Sequence, residues 1–429
     1  HSITADDQVR SYDTTFTEIQ SRNWSPQKCV HSFLQSTQPT LRKTCKLHTR
    51  KPNCAVMNSL DTVVAKLKKL GPLHLAGSWD NVGLLVEPSA PKYVSKVMLT
   101  NDLTTQVMEE AKDRTVDLIV SYHPPIFVPL KRLTQKNWKE RIVVECMENR
   151  IAVFSPHTSH DALEGGVNDW LISAFDVKKS TVRPLEPSQE FPGGQTHRLE
   201  VVITDAARIK EVRDQCLVSQ FEADARLRQN KEAFTLHAAK SSTSSGGEEW
   251  RLQVSCNQGE LACMLKGLVL SGSPEKYHVS PLSQVPLPST GMMRWAELKA
   301  PISLQQAVAQ VKAHLQIDHV MVGLRQDAES KEPVDEQGEA TINTVAVCAG
   351  SGSSLLKSGG PSADLLLTGE LSHHEVLDAV HRGSHVILTR HSNSERGYLQ
   401  NLRAKLATAL GASVEVFVSD VDRDPLAVM

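Results

Sequence analysis

Four short segments of the 429-residue chain gather the side chains able to do metal-assisted chemistry. The first is Ser121-Tyr-His-Pro-Pro-Ile-Phe127, where two prolines halt an apolar run and fix His123 at its mouth. A neutral imidazole held rigidly there is a good metal ligand. The second, running from Ser155, places His157, His160 and Asp161 within five residues. The third is Thr368-Gly-Glu-Leu-Ser-His-His-Glu375, and the fourth, from Thr389, sets His391 and Glu395 four apart. Taken singly, each has a plainer reading. His123 could be a hydrogen-bonded loop histidine, Asp161 a helix cap, and His391 with Glu395 an ordinary i, i+4 pair. The capping box Ser372-x-x-Glu375 accounts for Glu375 structurally and sets His373 and His374 near a helix start, beside a site rather than in it.

Taken together, His123, Asp161, His391 and Glu395 form a histidine/carboxylate set without thiolate. Such a set suits zinc, iron or manganese, one or two ions per chain, and an open coordination position suits hydrolysis. His374 and His160 are the candidates for moving protons. Trp79-Asp-Asn-Val-Gly-Leu-Leu-Val86 either lines the same cavity or turns into a strand. The loop Cys348-Ala-Gly-Ser-Gly-Ser-Ser354 either presents backbone N–H groups to an anion or makes a tight turn.

Strands must carry these segments. Val97–Thr100, Asp117–Ser121, Ile151–Ser155, Thr344–Cys348, Asp364–Thr368, His385–Thr389 and Ser413–Val418 read as buried strands. Helical stretches alternate with them: Thr104–Ala111, Glu375–His381 and Arg396–Leu410, with an opening helix capped by Ser59. The alternation predicts an α/β fold with largely parallel sheets, and each chemical segment falls at a strand exit, where open α/β sheets bind ligands. The middle breaks the rhythm. His197–Thr204, Ala207–Gln215, Phe234–Ala238, Trp250–Ser255, Gln258–Leu268 and Tyr277–Val279 run strand-helix-strand-strand-helix-strand, with a polar loop ending at Gly247 inside the hairpin. This predicts a ferredoxin-like α+β insert over 196–288, splitting the α/β domain into halves at 58–195 and 289–429.

Residues 1–56 stand apart, with 8 basic and 4 acidic side chains against 39 and 45 in the remainder. They read as an organelle leader or an upstream extension outside the functional protein, disordered in either case. Eight cysteines without a C-x-x-C pair read as reduced thiols in a cytosol-like compartment. At 40% hydrophobic and 22% charged, with 47 basic and 49 acidic residues, the composition is globular and marks no nucleic-acid binder. The longest apolar runs fall short of a membrane-spanning helix.

Read in order over 58–429, these segments resemble the family named for Ngg-one-interacting factor three, also called the GTP cyclohydrolase I type 2 family or the dinuclear metal-centre proteins. The resemblance rests on Trp79-Asp-Asn-Val-Gly-Leu, Tyr122-His-Pro-Pro-Ile-Phe, His157-Thr-x-x-Asp161, Gly165-Gly-Val-Asn-Asp-Trp-Leu171, Ala349-Gly-Ser-Gly-Ser-Ser, Thr368-Gly-Glu and His391-Ser-x-x-Glu395. The closing Asp422-Arg-Asp-Pro-Leu426 is similar to the animal Nif-three-like branch. The resemblance implies a two-part α/β fold, assembly with itself into a hexameric ring, and a dinuclear centre. In it, His123 and Asp161 match ligands of the first ion, His391 a ligand of the second, and Glu395 the bridge. Many bacterial members read His-His-Pro where this chain reads Tyr122-His123-Pro124, and a phenol is a far weaker ligand than imidazole. Gly291-Met-Met-Arg-Trp295 departs from the glycine-rich pattern usual after the insert.

Three functions compete: a metal-dependent hydrolase acting on a nucleotide or phosphorylated small molecule, an adaptor binding transcriptional regulators, and a structural or metal-storing ring. The first implies a cytoplasmic protein, or a mitochondrial one if residues 1–56 are a transit peptide; the second a nuclear one.

Overall fold

The computed structural model describes residues 58–218, 234–240, 248–270, 276–326, 341–357 and 362–429. The expectations for residues 1–56 and for the polar loop 241–247 fall outside them. All described residues belong to one compact unit.

Two five-stranded sheets carry the α/β body. In the first, Glu415–Val418, Lys96–Thr100, Leu118–Ser121 and Ala152–Ser155 lie side by side and parallel, and Gly83–Val86 closes the edge antiparallel. In the second, Ile342–Ser351, Leu365–Glu370 and His385–Leu388 are parallel, flanked by the antiparallel strands Arg294–Ile302 and Met321–Gly323. The predicted parallel strands are therefore present, and the antiparallel edges are what periodicity did not reveal. An unbroken apolar run marks a strand buried on both faces but says nothing of its direction.

Alternate residues of these strands serve different cores. Val97, Leu99, Leu118 and Val120 join Val345, Val347, Leu365, Leu367 and Ile387 of the second sheet in one cluster, completed by Val64 and by Leu402 and Leu406 of the helix Tyr398–Leu410. Met98, Ile119 and Val153 face the other way, onto Val107, Met108, Ile142 and Cys146. The opening helix Leu60–Leu70 forms as its stripe requires: Ser59 accepts from the Thr62 backbone N–H, and Leu60, Val63, Val64 and Leu67 are buried. The helix expected over Arg396–Leu410 is two, Asn393–Arg396 and Tyr398–Leu410, meeting at Gly397.

The middle segment has its own sheet. Lys276–Pro281, His197–Ile203, Glu248–Cys256 and Phe234–Lys240 are all antiparallel, in the spatial order fourth, first, third, second. With the helices Ile209–Val218 and Gln258–Leu270 between strands, this is the ferredoxin-like arrangement. It holds a separate core built on Leu199, Val201, Val212, Leu252, Val254 and Met264. A ribbon of Glu186–Glu190 paired with Val285–Met292 leads into and out of it. Gly291 is required there, since a Cβ on it would lie 2.2 Å from the Glu186 carbonyl oxygen.

Candidate metal centre

Parallel strands of both sheets end at one cavity of about 450 Å³. Leu118–Ser121 delivers His123, and His385–Leu388 leads through Arg390 to His391 and Glu395. The backbone of this last turn is strained, with Arg390 at φ +73°. The ligand atoms of His123, His391 and Glu395 lie within 4.8 Å of one another, the one such group among the described residues.

The three are arranged around the carboxylate. His123 Nε2 is 3.3 Å from Glu395 Oε2, and His391 Nε2 is 3.4 Å from Oε1. Each imidazole has its other nitrogen on an acid: His123 Nδ1 donates to Asp102 at 2.9 Å, and His391 Nδ1 to Glu370 at 2.9 Å. Such partners fix the tautomer and turn Nε2 toward the centre, as outer carboxylates do for metal-bound histidines. The Asn101 amide donates to Glu395 Oε2 at 3.1 Å. Glu395 is buried, and His123 Nε2 is buried without a hydrogen-bond partner.

Charge follows this geometry. Burial opposes a charged His123, but Asp102 and Glu395 outweigh it and hold the imidazole at about 10. Burial would likewise raise Asp102 and Glu395, yet both stay below the ordinary carboxylate range, Asp102 through His123 and Arg396, Glu395 through His123, His391 and Asn101. The cluster thus stabilises a positive charge beside Glu395, and a divalent cation would compete with a proton for that place. Two imidazoles and a carboxylate, with the buried His123 Nε2 turned toward Glu395, fit such an ion.

Glycine is obligatory beside it. Gly350 sits at φ +68°, and a Cβ there would lie 2.6 Å from Glu395 Oε1 and 3.0 Å from His391 Nε2. A Cβ on Gly369 would lie 2.5 Å from the Gly350 carbonyl oxygen. The Gly350 loop spends its N–H groups inside the fold. Ala349 N donates to Asn168 Oδ1 at 2.8 Å, Gly350 N to Ser394 Oγ at 2.8 Å, and Gly352 N to the Glu370 carbonyl at 3.0 Å.

The other expected residues stand outside that group. Asp161 lines the cavity, within the short helix Thr158–Ala162 rather than at its cap, but stands outside the three-residue group. The Tyr122 hydroxyl donates to it. Burial and the nearby Glu395 push Asp161 up to about 6, against the pull of Tyr122, and burial with Asp161 raises Tyr122 well above the phenol range. His160 is buried behind the site, its Nδ1 3.0 Å from the Tyr398 hydroxyl and its ring against Gly71. Burial and Lys405 lower it to about 3, so it is a neutral core histidine at neutral pH. His374 is exposed on the first turn of His373–His381, after the capping box of Ser372 and Glu375, and does not line the cavity.

The Trp79 segment does both things left open for it. Trp79 lines the cavity, and the chain enters the strand Gly83–Val86 just beyond. Between them lies a buried acid that sequence reading did not single out. Asp80 accepts from His157 Nδ1 at 2.7 Å and from the Thr158 backbone N–H at 3.2 Å. Burial would raise Asp80, but His157 and Thr158 keep it low. His157, at φ +36°, faces the cavity as a third acid-clamped histidine. Asp102 and Glu370 were missed as well, and a spacing could have found them: each precedes its histidine by 21 residues, one strand-helix-strand unit.

A family model described as Duf34/NIF3 (NGG1p interacting factor 3) matches residues 58–425. Bovine NIF3-like protein 1 is 40% identical over 374 residues, covering 86% of this chain and 92% of the relative. NGG1-interacting factor 3 of Saccharomyces cerevisiae is 30% identical over 378 residues, covering 86% and 96%. A Staphylococcus aureus protein of known structure superposes with a TM-score of 0.66 at 20% identity, covering 86% of this chain and 99% of its own, so the fold is shared.

Proposed function

Because this chain belongs to the Duf34/NIF3 family and gathers two acid-clamped histidines on one buried glutamate, we propose that it binds a divalent cation there and hydrolyses a small molecule in the adjoining cavity. The observation that carries this reading is His123 Nε2, buried, without a hydrogen bond and held 3.3 Å from Glu395 Oε2. Zinc, iron and manganese all suit the donor set. When bound, the cation supplies Lewis acidity and an acidified water.

The chain's own residues do the rest. Asp102 and Glu370 hold the two imidazoles in the tautomer that leaves Nε2 free, and Asn101 steadies Glu395. Asp80 holds the His157 Nδ1 proton, which leaves His157 Nε2 to take or give a proton in the cavity. Trp79, Met292 and Met293 supply an apolar wall. The ionisable residues lining the cavity are Asp161, Glu186, Cys348, Glu395, His157 and His391, with no lysine or arginine among the described lining residues. A phosphate group would find its positive partner only in the cation, so the reading favours a substrate of low negative charge over a nucleotide triphosphate. The ring assembly implied by the family resemblance is part of this proposal, checked by mass in solution.

The test is a screen of the zinc- and manganese-loaded chain against neutral cyclic amides, nucleosides, nucleotides and phosphoesters. Turnover that requires metal and disappears in Glu395→Ala supports hydrolysis. Metal-loaded protein inert toward all four classes contradicts it.

A second reading rests on the name of the yeast relative, an NGG1-interacting factor. Under it the chain is an adaptor for a transcriptional regulator, with the insert as the docking module: the strand Lys276–Pro281 is exposed along its length, as are Val269 and Leu270. Partner capture that survives Glu395→Ala would favour this reading, and capture lost in that variant with folding intact would undermine it.

A further inference from the structure

One acid of the cavity is already engaged. Tyr122 is fully buried, directly before His123, and its hydroxyl donates to Asp161. The Asp161 side chain lines the cavity, yet its oxygens stand outside the group formed by His123, His391 and Glu395. From this juxtaposition we propose that Tyr122 withholds Asp161 from the metal, so that the centre takes a single cation, held by His123, His391 and Glu395. The proposal rests on the metal reading above and fixes its stoichiometry.

The physical argument has two parts. A phenol donating to a buried carboxylate makes a charge-assisted hydrogen bond, among the stronger kinds. For Asp161 to turn to an ion, that bond must break and leave the hydroxyl buried without a partner, since Tyr122 is enclosed. Nor can Tyr122 serve as a ligand in place of Asp161. A neutral phenol is a far weaker ligand than imidazole, and this hydroxyl is already committed as the donor to Asp161. The third acid-clamped histidine does not restore a second site either, because His157 is not within the ligating group.

The experiment strips the full chain of metal, reloads it with Co²⁺ alone, and counts bound ions by elemental analysis beside the visible cobalt spectrum. Variants that fail to show native circular dichroism are set aside, and Asp161→Asn serves where Asp161→Ala does not fold. The natural chain is expected to hold one Co²⁺, and both Asp161 variants to keep it with affinity within about threefold, well short of the 10–100-fold typical of metal-shell losses. Tyr122→Phe frees Asp161 and should tighten Co²⁺ about tenfold with a shifted spectrum. Tyr122→His should admit a second ion. Two ions in the natural chain, or loss of the ion in a folded Asp161 variant, would overturn the proposal while leaving a metal centre in place. Glu395→Ala separates the two ideas: an ion retained in that variant, or none in the natural chain, would sink the metal reading itself.

Discussion

Two histidines reach Glu395 from opposite sheets, by the same local design and with unequal support. In the first sheet the strand Lys96–Thr100 is followed by Asp102, and 21 residues later comes His123. In the second, Leu365–Glu370 ends on Glu370, and 21 residues later comes His391. Both acids clamp Nδ1 at the same 2.9 Å. The difference lies in burial. The His123 side chain is 22% exposed and its partner Asp102 35%, whereas His391 is 39% exposed and Glu370 58%. Water weakens the outer pair, and an exposed ion pair contributes little. The comparison teaches that one strand-helix-strand unit can deliver a metal ligand and its orienting acid together, and that depth decides how firmly the ligand is held.

The C-terminal segment adds to the asymmetry. Asp422 accepts from the Asn101 backbone N–H at 2.7 Å and pairs with Arg396 at 2.6 Å. Asp424 accepts from the Ser392 hydroxyl at 3.0 Å. The closing Asp422–Leu426 segment therefore braces the turn that carries His391 and Glu395.

The largest test of the comparison removes the ligands in turn. His123→Ala should weaken Co²⁺ binding by about 100-fold or more, and His391→Ala by visibly less, as titration calorimetry would show. Equal losses would mean that burial does not rank the two. Gly350→Ala strikes the shared carboxylate and the outer imidazole at once. Its methyl enters the space of Glu395 Oε1 and His391 Nε2 at a positive φ. It should cost about 1–3 kcal/mol of stability by thermal denaturation, together with most of the Co²⁺ affinity. The orienting acids come next. Asp102→Asn keeps the shape and removes the charge, with an expected loss of about 10–100-fold, while Glu370→Gln should stay within about threefold.

The smallest effect is the pH response of the metal-free chain. His123 is raised from the ordinary 6.5 to about 10, so its contribution is fully present below about 6.5 and is lost as pH climbs through about 10. Asp102 and Glu395 are depressed, so theirs is present above the ordinary carboxylate values and is lost as pH falls through the lowered ones. Thermal midpoints of metal-stripped protein from pH 4 to 11 should therefore peak in the neutral range. His123→Gln should flatten the alkaline limb, and an unchanged limb would remove His123 from the account.

Much of this was legible in the chain. Strand exits at Ser121 and Thr389 placed His123 and His391 correctly, because prolines and a helix start punctuate those runs. The insert's topology followed from the order of its elements. Partnership was harder to read. Whether Asp161 meets a metal or a phenol depends on the direction of one buried hydroxyl, and Tyr122 beside His123 indicated only a weaker ligand. Asp80, Asp102 and Glu370 were hidden because each acts through a histidine far along the chain. His160 misled for the opposite reason, since its type and place within the segment suit chemistry while its ring is packed against Gly71.

The central claim is that Glu395, between two clamped imidazoles, holds a cation. The most direct test is elemental analysis of the purified full chain beside Glu395→Ala, with native folding of both checked by circular dichroism. The account predicts one ion per chain in the natural protein and none in the folded variant. Equal metal content in the two, or no metal in either after reloading with Co²⁺, would contradict it.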